Sequence, residues 1–232
     1  MQKLGLVGGM GPQSTVPYYM GIVYGVQSAV GKPFFPPLTV ESVDVYHILG
    51  LLAEGRQQEV EEYLLKAVEN LAAAGADFAA LTANTSHIVF ENLQRRSPIP
   101  LVSIIDATCD AAVAAGYRRL GLLGTRFTME GEFYRLPFTR AGIEIFTPDA
   151  DDMAMIDERI SSELEMGIVN ENTRQALVDA IARMQKRHNI DAVILGCTEL
   201  PLILNDAVSP VPCLDTVQIH IKALVSKILS NN

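Results

Sequence analysis

The stretch DFAALTANTSH, residues 77–87, shows how this chain is built. Its apolar run Phe78–Leu81 does not alternate with polar residues, which is typical of a strand covered on both faces of a parallel sheet. The polar residues Asn84–His87 follow, as expected for a turn that enters a helix. Proteins of the α/β class place their chemistry at the carboxyl end of such a strand, and here that position holds Ala83, a methyl group.

A second stretch, DAVILGCTE at residues 191–199, repeats this pattern with a thiol, Cys197, in place of the methyl group. Two further pairs match in the same order: GLVG at 5–8 with GLLG at 121–124, and SPIP at 97–100 with SPVP at 209–212. The three offsets are 116, 114 and 112 residues (5 to 121, 77 to 191 and 97 to 209). Matches in one order at nearly one offset indicate an internal duplication.

Strand-like and helical segments alternate along the chain, which predicts parallel sheets with right-handed crossovers. With the duplication, this predicts an α/β fold of two pseudo-symmetric lobes, each a parallel sheet flanked by helices, with the active site in the cleft between them. The first lobe is expected to comprise residues 1–102 plus 213–232, and the second residues 103–212. The strand-like runs lie at 4–7, 38–45, 78–81, 101–105, 120–123, 143–147, 192–195 and 213–214, and the clearest helical patterns at 58–74, 173–188 and 216–229.

Composition limits the partners and the compartment. The chain has 232 residues and a net charge of −9, which disfavours nucleic acids and anionic membranes as partners. No apolar run is long enough to span a membrane, no signal-peptide core precedes Gly8, and the three cysteines form no C-x-x-C pair. We therefore expect a cytoplasmic protein. The four histidines have no metal-ligand spacing, so no metal site is expected.

A glycine-rich turn, Gly8–Pro12, follows the first strand. Glycines let the backbone approach a ligand, and the N–H groups of such a turn can bind a carboxylate or phosphate. The alternative is a tight structural turn. A dinucleotide fingerprint needs a glycine where Ser14 stands, and no P-loop is present, so nucleotide binding is not expected.

The segment GCTELP, residues 196–201, carries the strongest chemical signal. A thiol at a strand end that opens a helix lies near N–H dipoles, which favour the thiolate. Thr198 can donate a hydrogen bond to a ligand, and Glu199 can orient a neighbour or shift the pKa of the thiol. The alternative is an inert core cysteine, which is a frequent role of a lone Cys.

The other strand end offers an amide and two hydroxyls, Asn84, Thr85 and Ser86. They can cap the next helix, grip the α-carboxylate and α-amine of a ligand, or do both. In the second lobe, Thr125 follows its strand where Gly9 follows the first one, and it is a further candidate ligand contact. For His87 we expect a structural hydrogen bond, with tuning of the site as the alternative.

Three motifs together resemble those of the aspartate/glutamate racemase family: GGMGP at 8–12, ANTSH at 83–87 and GCTE at 196–199. The resemblance spans the whole chain. It implies cofactor-independent racemisation of an amino acid in a two-lobed α/β protein that is commonly a homodimer. In such enzymes one cysteine removes the α-proton from one face, and a second returns a proton to the opposite face. Inversion without a cofactor needs an acid/base group on each face, so the chemistry agrees.

By position, the resemblance makes Cys197 one of the two acid/base residues. It makes Asn84, Thr85 and Thr198 substrate-binding residues, and Met10 part of the wall. The departure is Ala83, where the family's first catalytic residue should stand; either this is a natural one-base relative, or the residue has been replaced. Acidic residues near Asp44 and Glu165 stand where some aspartate-selective relatives carry Arg and Lys, which weakens the assignment to aspartate or glutamate. Leu52 is a candidate specificity residue after the second strand.

Two other functions fit the same residues. A decarboxylase of a malonate-type acid needs only one proton donor, because loss of CO₂ itself generates the carbanion. A non-catalytic module that binds an amino acid predicts tight binding and an unreactive Cys197, with a thiol pKa near about 8.5.

Overall fold

The computed structural model describes residues 1–230, except for the side chain of Pro12. Within that range the strands form two four-stranded sheets in which every pairing is parallel. The sheet orders are β2-β1-β3-β4 and β6-β5-β7-β8, so the second repeats the topology of the first. This confirms the predicted α/β class with two parallel sheets flanked by helices. The strands are β1 (Leu4–Gly8), β2 (Leu38–Ser42), β3 (Phe78–Leu81), β4 (Leu101–Val102), β5 (Arg119–Leu123), β6 (Glu144–Phe146), β7 (Ala192–Leu195) and β8 (Cys213–Asp215).

The chain divides into two compact units: Met1–Ile104 with the C-terminal segment from Val217, and Ile105–Thr216. Helices of the first unit are α1 (Pro12–Val30), α2 (Val45–Ala53), α3 (Gln57–Ala73) and α4 (Phe90–Arg96), joined by α10 (Thr216–Leu229). Those of the second are α5 (Ile104–Ala114), α6 (Arg126–Glu130), α7 (Glu132–Arg140), α8 (Ala150–Ser162) and α9 (Glu171–His188). Among residues 1–230, no helix is both long and apolar enough to cross a membrane.

The core of the first unit lies where α1 and α10 pack against the sheet. Side chains of β1 and β3 contact the buried faces of both helices, and the largest of them are fully buried. Burial of a Leu, Ile or Phe side chain contributes about 1.5–3 kcal/mol, so this packing holds the C-terminal helix on the first sheet. The cluster contains Leu4, Leu6, Tyr18, Ile22, Val26, Phe78, Ala80, Val217, Ile221, Leu224 and Ile228.

The core of the second unit is formed by α8, α9 and strands β5 and β7. It includes Cys197 beside Leu195 and Leu200, so the thiol of the strand-end motif sits at the margin of a packed apolar cluster. In the same unit, Asp149 caps α8: its carboxylate accepts a hydrogen bond from the Asp152 N–H at 3.1 Å.

Three predicted strands were wrong in extent or placement. β2 was expected to reach residue 45, but it ends at Ser42 because the Asp44 carboxylate caps α2 at the Tyr46 N–H. β4 was expected to reach residue 105, but α5 begins at Ile104. β8 was placed in the first lobe, but it pairs with β7 and belongs to the second sheet. A short apolar run fits a buried strand and a buried helix turn equally well, which explains the error at β4.

Candidate active site

The two sheets place Ala83 and Cys197 at equivalent positions. In the first sheet Leu81 is paired with Val7, and in the second Leu195 is paired with Leu123. Leu81 ends β3 and Leu195 ends β7, and each candidate residue stands two positions beyond that strand end (81 to 83 and 195 to 197). Each therefore lies at the carboxyl edge of its own sheet, where α/β folds bind ligands.

The Cys197 thiol is paired with a carboxylate. Its Sγ lies 3.0 Å from Oε2 of Glu199, and the same oxygen accepts a hydrogen bond from Thr198 Oγ1 at 2.7 Å. Cys197 is 7% exposed and Glu199 4% exposed, so the pair is nearly withdrawn from water. The segment 197–199 thus brings three of the predicted site residues together.

The thiol is neutral at pH 7 in this arrangement. Burial raises the pKa of Cys197 well above its usual value, and the negative charge of Glu199 adds to the rise. The expectation that a helix start would favour the thiolate was wrong, because only one 3₁₀ turn, Leu200–Leu202, follows. A single turn has no stack of aligned peptide dipoles, and a main-chain hydrogen bond at Glu199, which lowers the thiol pKa, is outweighed by burial and by the nearby charge.

A second carboxylate lies within electrostatic reach of the thiol. Glu165 stands on the 3₁₀ turn Leu164–Met166, and its charge contributes to the raised pKa of Cys197. The pKa of Glu165 is itself raised, first by burial and then by Glu199 and Asp157. Asp157 in turn accepts the main-chain N–H of Arg126 at 2.7 Å. The sequence marked Glu165 only as an acidic residue where some relatives carry a cation, and no local pattern pointed to Asp157.

The strand end of the first unit has no charged side chain among its predicted site residues. Ala83 is half-buried, and its carbonyl oxygen accepts hydrogen bonds from Ser86 Oγ and His87 Nδ1, each at 2.9 Å. Asn84 is buried and Thr85 is half-buried on the 3₁₀ turn Thr85–Val89 that precedes α4. The Ser86 hydroxyl hydrogen is thus used within the loop rather than offered to a ligand.

The glycine-rich turn packs closely against the main chain at the same edge of the first sheet. Gly9 has a φ of 78°, and a Cβ there would lie 2.2 Å from the Val43 carbonyl oxygen, so only glycine fits. Ser14 Oγ, in the first turn of α1, donates to the Thr82 carbonyl at 2.6 Å, which joins this turn to the Ala83 strand end. Met10 is buried at 5% exposure in the turn.

The two remaining predicted ligand contacts, Thr125 and Leu52, differ in burial and in location. Thr125 is half-buried directly before α6, with its Oγ1 3.3 Å from Thr128 Oγ1. Leu52 is buried on the inner face of α2 beside Ile48 and Leu51, a core position of the first unit. Within residues 1–230, no three His, Cys, Asp or Glu side chains are grouped as a metal ion would require.

Comparison with known proteins identifies the relatives of this chain. The family model described as Asp/Glu/hydantoin racemase matches residues 7–224. A crystal structure of a Yersinia pestis protein, provisionally assigned as an Asp/Glu racemase, is 36% identical, with a TM-score of 0.92 over 99% of this chain and 100% of its own. An aspartate racemase homologue from Pyrococcus horikoshii OT3 is 33% identical, with a TM-score of 0.84 over 99% and 100% of the two chains. The broad specificity amino-acid racemase RacX of Bacillus subtilis is 24% identical, with 98% of each chain covered.

Proposed function

The chain belongs to the Asp/Glu/hydantoin racemase family, and on that premise we propose that it moves the α-proton of a small amino acid without a cofactor. Aspartate and glutamate are the first candidates, because two of the similar proteins carry names of that substrate class. The observation that carries the proposal is the buried Cys197–Glu199 pair at the carboxyl end of β7. A thiol and a carboxylate 3.0 Å apart can pass one proton between them.

The pair supplies the acid/base chemistry at one face of the substrate. Glu199 accepts the thiol proton, and the resulting Cys197 thiolate takes the α-proton, which leaves a carbanion and a re-protonated thiol. In the reverse step the thiol gives its proton to the carbanion, and the Glu199 carboxylic acid restores the thiol. A thiolate formed only at that moment, in a nearly dry site, is a stronger base than one held by permanent positive charge.

Neutral hydrogen-bond donors stabilise the carbanion in this proposal. The α-carbanion delocalises into the substrate carboxylate, so donors aimed at that carboxylate lower the barrier. Asn84, Thr85 and Thr198 are the proposed donors, and Met10 is the proposed apolar wall. Thr198 is well placed, since its hydroxyl already donates to Glu199 at 2.7 Å and can turn to a ligand oxygen.

The position of Ala83 has no proton to give. The proposal therefore limits this chain to deprotonation and reprotonation at the Cys197 face, with inversion of the α-carbon much slower than in a chain with two such groups. Whether Ala83 is natural or a replacement, the consequence for the chemistry is the same.

We also propose that two copies of the chain associate through α1. Four large apolar side chains within three turns of that helix are 42–60% exposed. Single exposed apolar residues are ordinary, but a stripe along one helix face is typical of an interface. The stripe consists of Val16, Tyr19, Met20 and Tyr24.

All three cysteines are free thiols, which fits the proposed cytoplasmic location.

A proton NMR experiment tests the catalytic proposal. L- and D-aspartate, then L- and D-glutamate, are incubated with the protein in D₂O while loss of the α-proton and chirality are followed. We expect one enantiomer to exchange its α-proton with configuration retained, because Cys197 serves only one face. Cys197→Ala is the matched control, in which exchange should fall by about 10²–10⁴-fold. Absence of exchange for all four compounds in the parent chain contradicts the proposal for aspartate and glutamate.

One observation favours a second function, decarboxylation of a malonate-type acid. The raised pKa of Cys197 makes it a proton donor, and no second donor stands at the equivalent Ala83. Loss of CO₂ generates the carbanion without a base, so one thiol completes that reaction. Release of CO₂ from a substituted malonate, together with no α-proton exchange of amino acids, would select this function.

A further inference from the structure

The imidazole of His87 bridges two main-chain segments of the first unit. Its Nδ1 lies 2.9 Å from the carbonyl oxygen of Ala83, and its Nε2 lies 3.2 Å from the main-chain nitrogen of Ile104, the first residue of α5. The side chain is 2% exposed, and its ring stacks on Phe90 with centroids 4.7 Å apart and planes 10° apart. The ring is therefore fixed at both nitrogens and on one face.

These contacts determine which nitrogen carries the proton. The Ile104 N–H is a donor, so Nε2 must accept, and the hydrogen must reside on Nδ1 and be donated to the Ala83 carbonyl. Burial lowers the pKa of His87 to about 4, so the ring stays neutral at pH 7. The Nδ1–H tautomer is the less common one for free neutral histidine, which makes it a measurable signature.

The carbonyl held by His87 belongs to the residue at the strand end. Ser86 donates to the same oxygen at 2.9 Å, so two side chains fix the peptide unit that sets the direction of the side chain at position 83. The second unit lacks this arrangement. The residue equivalent to His87, four positions after Cys197, is Pro201, which has no side-chain donor.

We propose that His87 is a positioning residue: through its Nδ1–H it holds the position-83 peptide so that a side chain there faces the substrate α-carbon. This inference rests on the proposed racemase function. It assigns His87 no proton transfer to substrate, since the ring touches only the main chain and Phe90 among the contacts described. It also implies that the two faces of the reaction depend differently on this histidine.

The test uses a chain in which both faces can react, Ala83→Cys. The enantiomer that the parent chain already exchanges in D₂O reports on the Cys197 face, and the other reports on the position-83 face. In that variant, two substitutions of His87 distinguish the role of Nδ1 from the role of Nε2. His87→Asn keeps an amide N–H where Nδ1 stands, whereas His87→Gln keeps a polar group near Nε2 and removes the donor to residue 83. His220→Asn, at another buried histidine of the same unit, is the control for general destabilisation.

We expect His87→Gln to slow exchange at the position-83 face by about 10²-fold, the usual result of an ångström-scale misplacement. Exchange at the Cys197 face should stay close to that of Ala83→Cys, and His87→Asn should recover much of the loss. Equal effects on both faces, or equal effects of Asn and Gln, overturn the positioning role. No exchange at either face in Ala83→Cys instead refutes the racemase proposal, and the inference falls with it.

A spectroscopic measurement covers the case in which His87→Gln does not fold. Nitrogen-15 NMR of the unsubstituted chain at pH 7 should show His87 with a protonated Nδ1 and an unprotonated Nε2. A proton on Nε2, or a charged ring, overturns the inference whatever the kinetics show.

Discussion

The two strand ends share a topology but differ in their electrostatics. At the end of β3, the neutral imidazole of His87 and the hydroxyl of Ser86 bind the main chain around Ala83. At the end of β7, the Cys197 thiol lies against the carboxylate of Glu199, with Glu165 within electrostatic reach. One end is held by uncharged side chains, and the other carries a buried thiol–carboxylate pair.

This difference shows that the two halves of a duplicated fold can keep the same strand-end position while the residues around it diverge. The register of each sheet puts residue 83 and residue 197 at the same place, because both follow strands paired in the same way. What the strand end can do depends on the four residues that follow, and those have diverged. The pairs Ser86 with Leu200 and His87 with Pro201 have no chemistry in common.

Removal of the thiol should have the largest effect. Cys197→Ala deletes the only titratable group proposed to touch the α-carbon, so α-proton exchange in D₂O should fall by about 10²–10⁴-fold. Substrate binding, measured by calorimetry, should persist because the proposed donors remain. If exchange survives in Cys197→Ala, another residue is the base, and the end of β7 does not have the role proposed for it.

Giving both strand ends a thiol should produce the next largest effect. Ala83→Cys adds a second acid/base group, so racemisation should rise by about 10²-fold or more. Polarimetry or chiral chromatography of aspartate and glutamate measures it directly, with Ala83→Val as a control that adds bulk without a proton. A folded Ala83→Cys protein that binds substrate but gains no racemisation argues against position 83 as an acid/base site.

Neutralising Glu199 should separate thiol acidity from catalysis. The charge of Glu199 raises the pKa of Cys197, so Glu199→Gln should lower that pKa toward its ordinary value. Each unit of change increases the thiolate fraction about tenfold below the pKa, so alkylation by iodoacetamide at pH 8 should be faster. Exchange of substrate α-protons should fall nonetheless, because the proton acceptor for the thiol is gone. Slower alkylation in Glu199→Gln contradicts this account of the pair.

Acid should destabilise the first unit in particular. Its two buried histidines have depressed pKa values, about 4 for His87 and about 3 for His220. Since both lie below the unfolded value of about 6.5, the unfolded chain binds these protons first, and stability is lost as pH falls from about 6.5 toward these values. For His87 the full effect is about 3 kcal/mol.

Urea unfolding at pH 7 and at pH 4.5, followed by circular dichroism, measures this loss. His220→Asn should show a shallower dependence on pH than the parent chain. Hydrogen exchange at pH 4.5 should show earlier opening of the first unit than of the second. Parallel pH profiles of the parent and His220→Asn would remove the histidines as the cause.

The smallest effects, on stability alone, should come from substitutions at the residues directly before Ala83 and Cys197. A Cβ at Gly196 would lie 2.8 Å from both the Leu123 carbonyl oxygen and Leu122 Cδ1, so Gly196→Ala should cost about 1–3 kcal/mol. Thr82 at the equivalent position donates its hydroxyl to the Val7 carbonyl at 3.1 Å, and Thr82→Ala should cost about 1 kcal/mol. Urea denaturation compares them, and a larger cost for Thr82→Ala would reverse the expected order.

Most of the fold was predictable from local pattern. Strand-like runs, most of them apolar throughout, located all eight strands, and β3 and β7 were predicted to the residue, because each is bounded by Asp and by small or polar residues. The predicted extent failed at β2, where Asp44 caps the next helix, and at β4, where a helix begins within an apolar run. No periodicity distinguishes a strand from a helix over three or four residues. Membership of β8 in the second sheet was missed because strand pairing depends on distant partners.

The sequence by itself determined the α/β class, the duplication, the racemase family and the positions of the two strand ends, because spacing and residue type are local properties of the chain. Only the tertiary structure decided the state of the groups there. Burial made the Cys197 thiol neutral and placed it against Glu199, and packing against Phe90 and Ile104 fixed the tautomer of His87. Protonation depends on desolvation and on the contacts that side chains make in the packed chain, and the sequence motif alone gives neither.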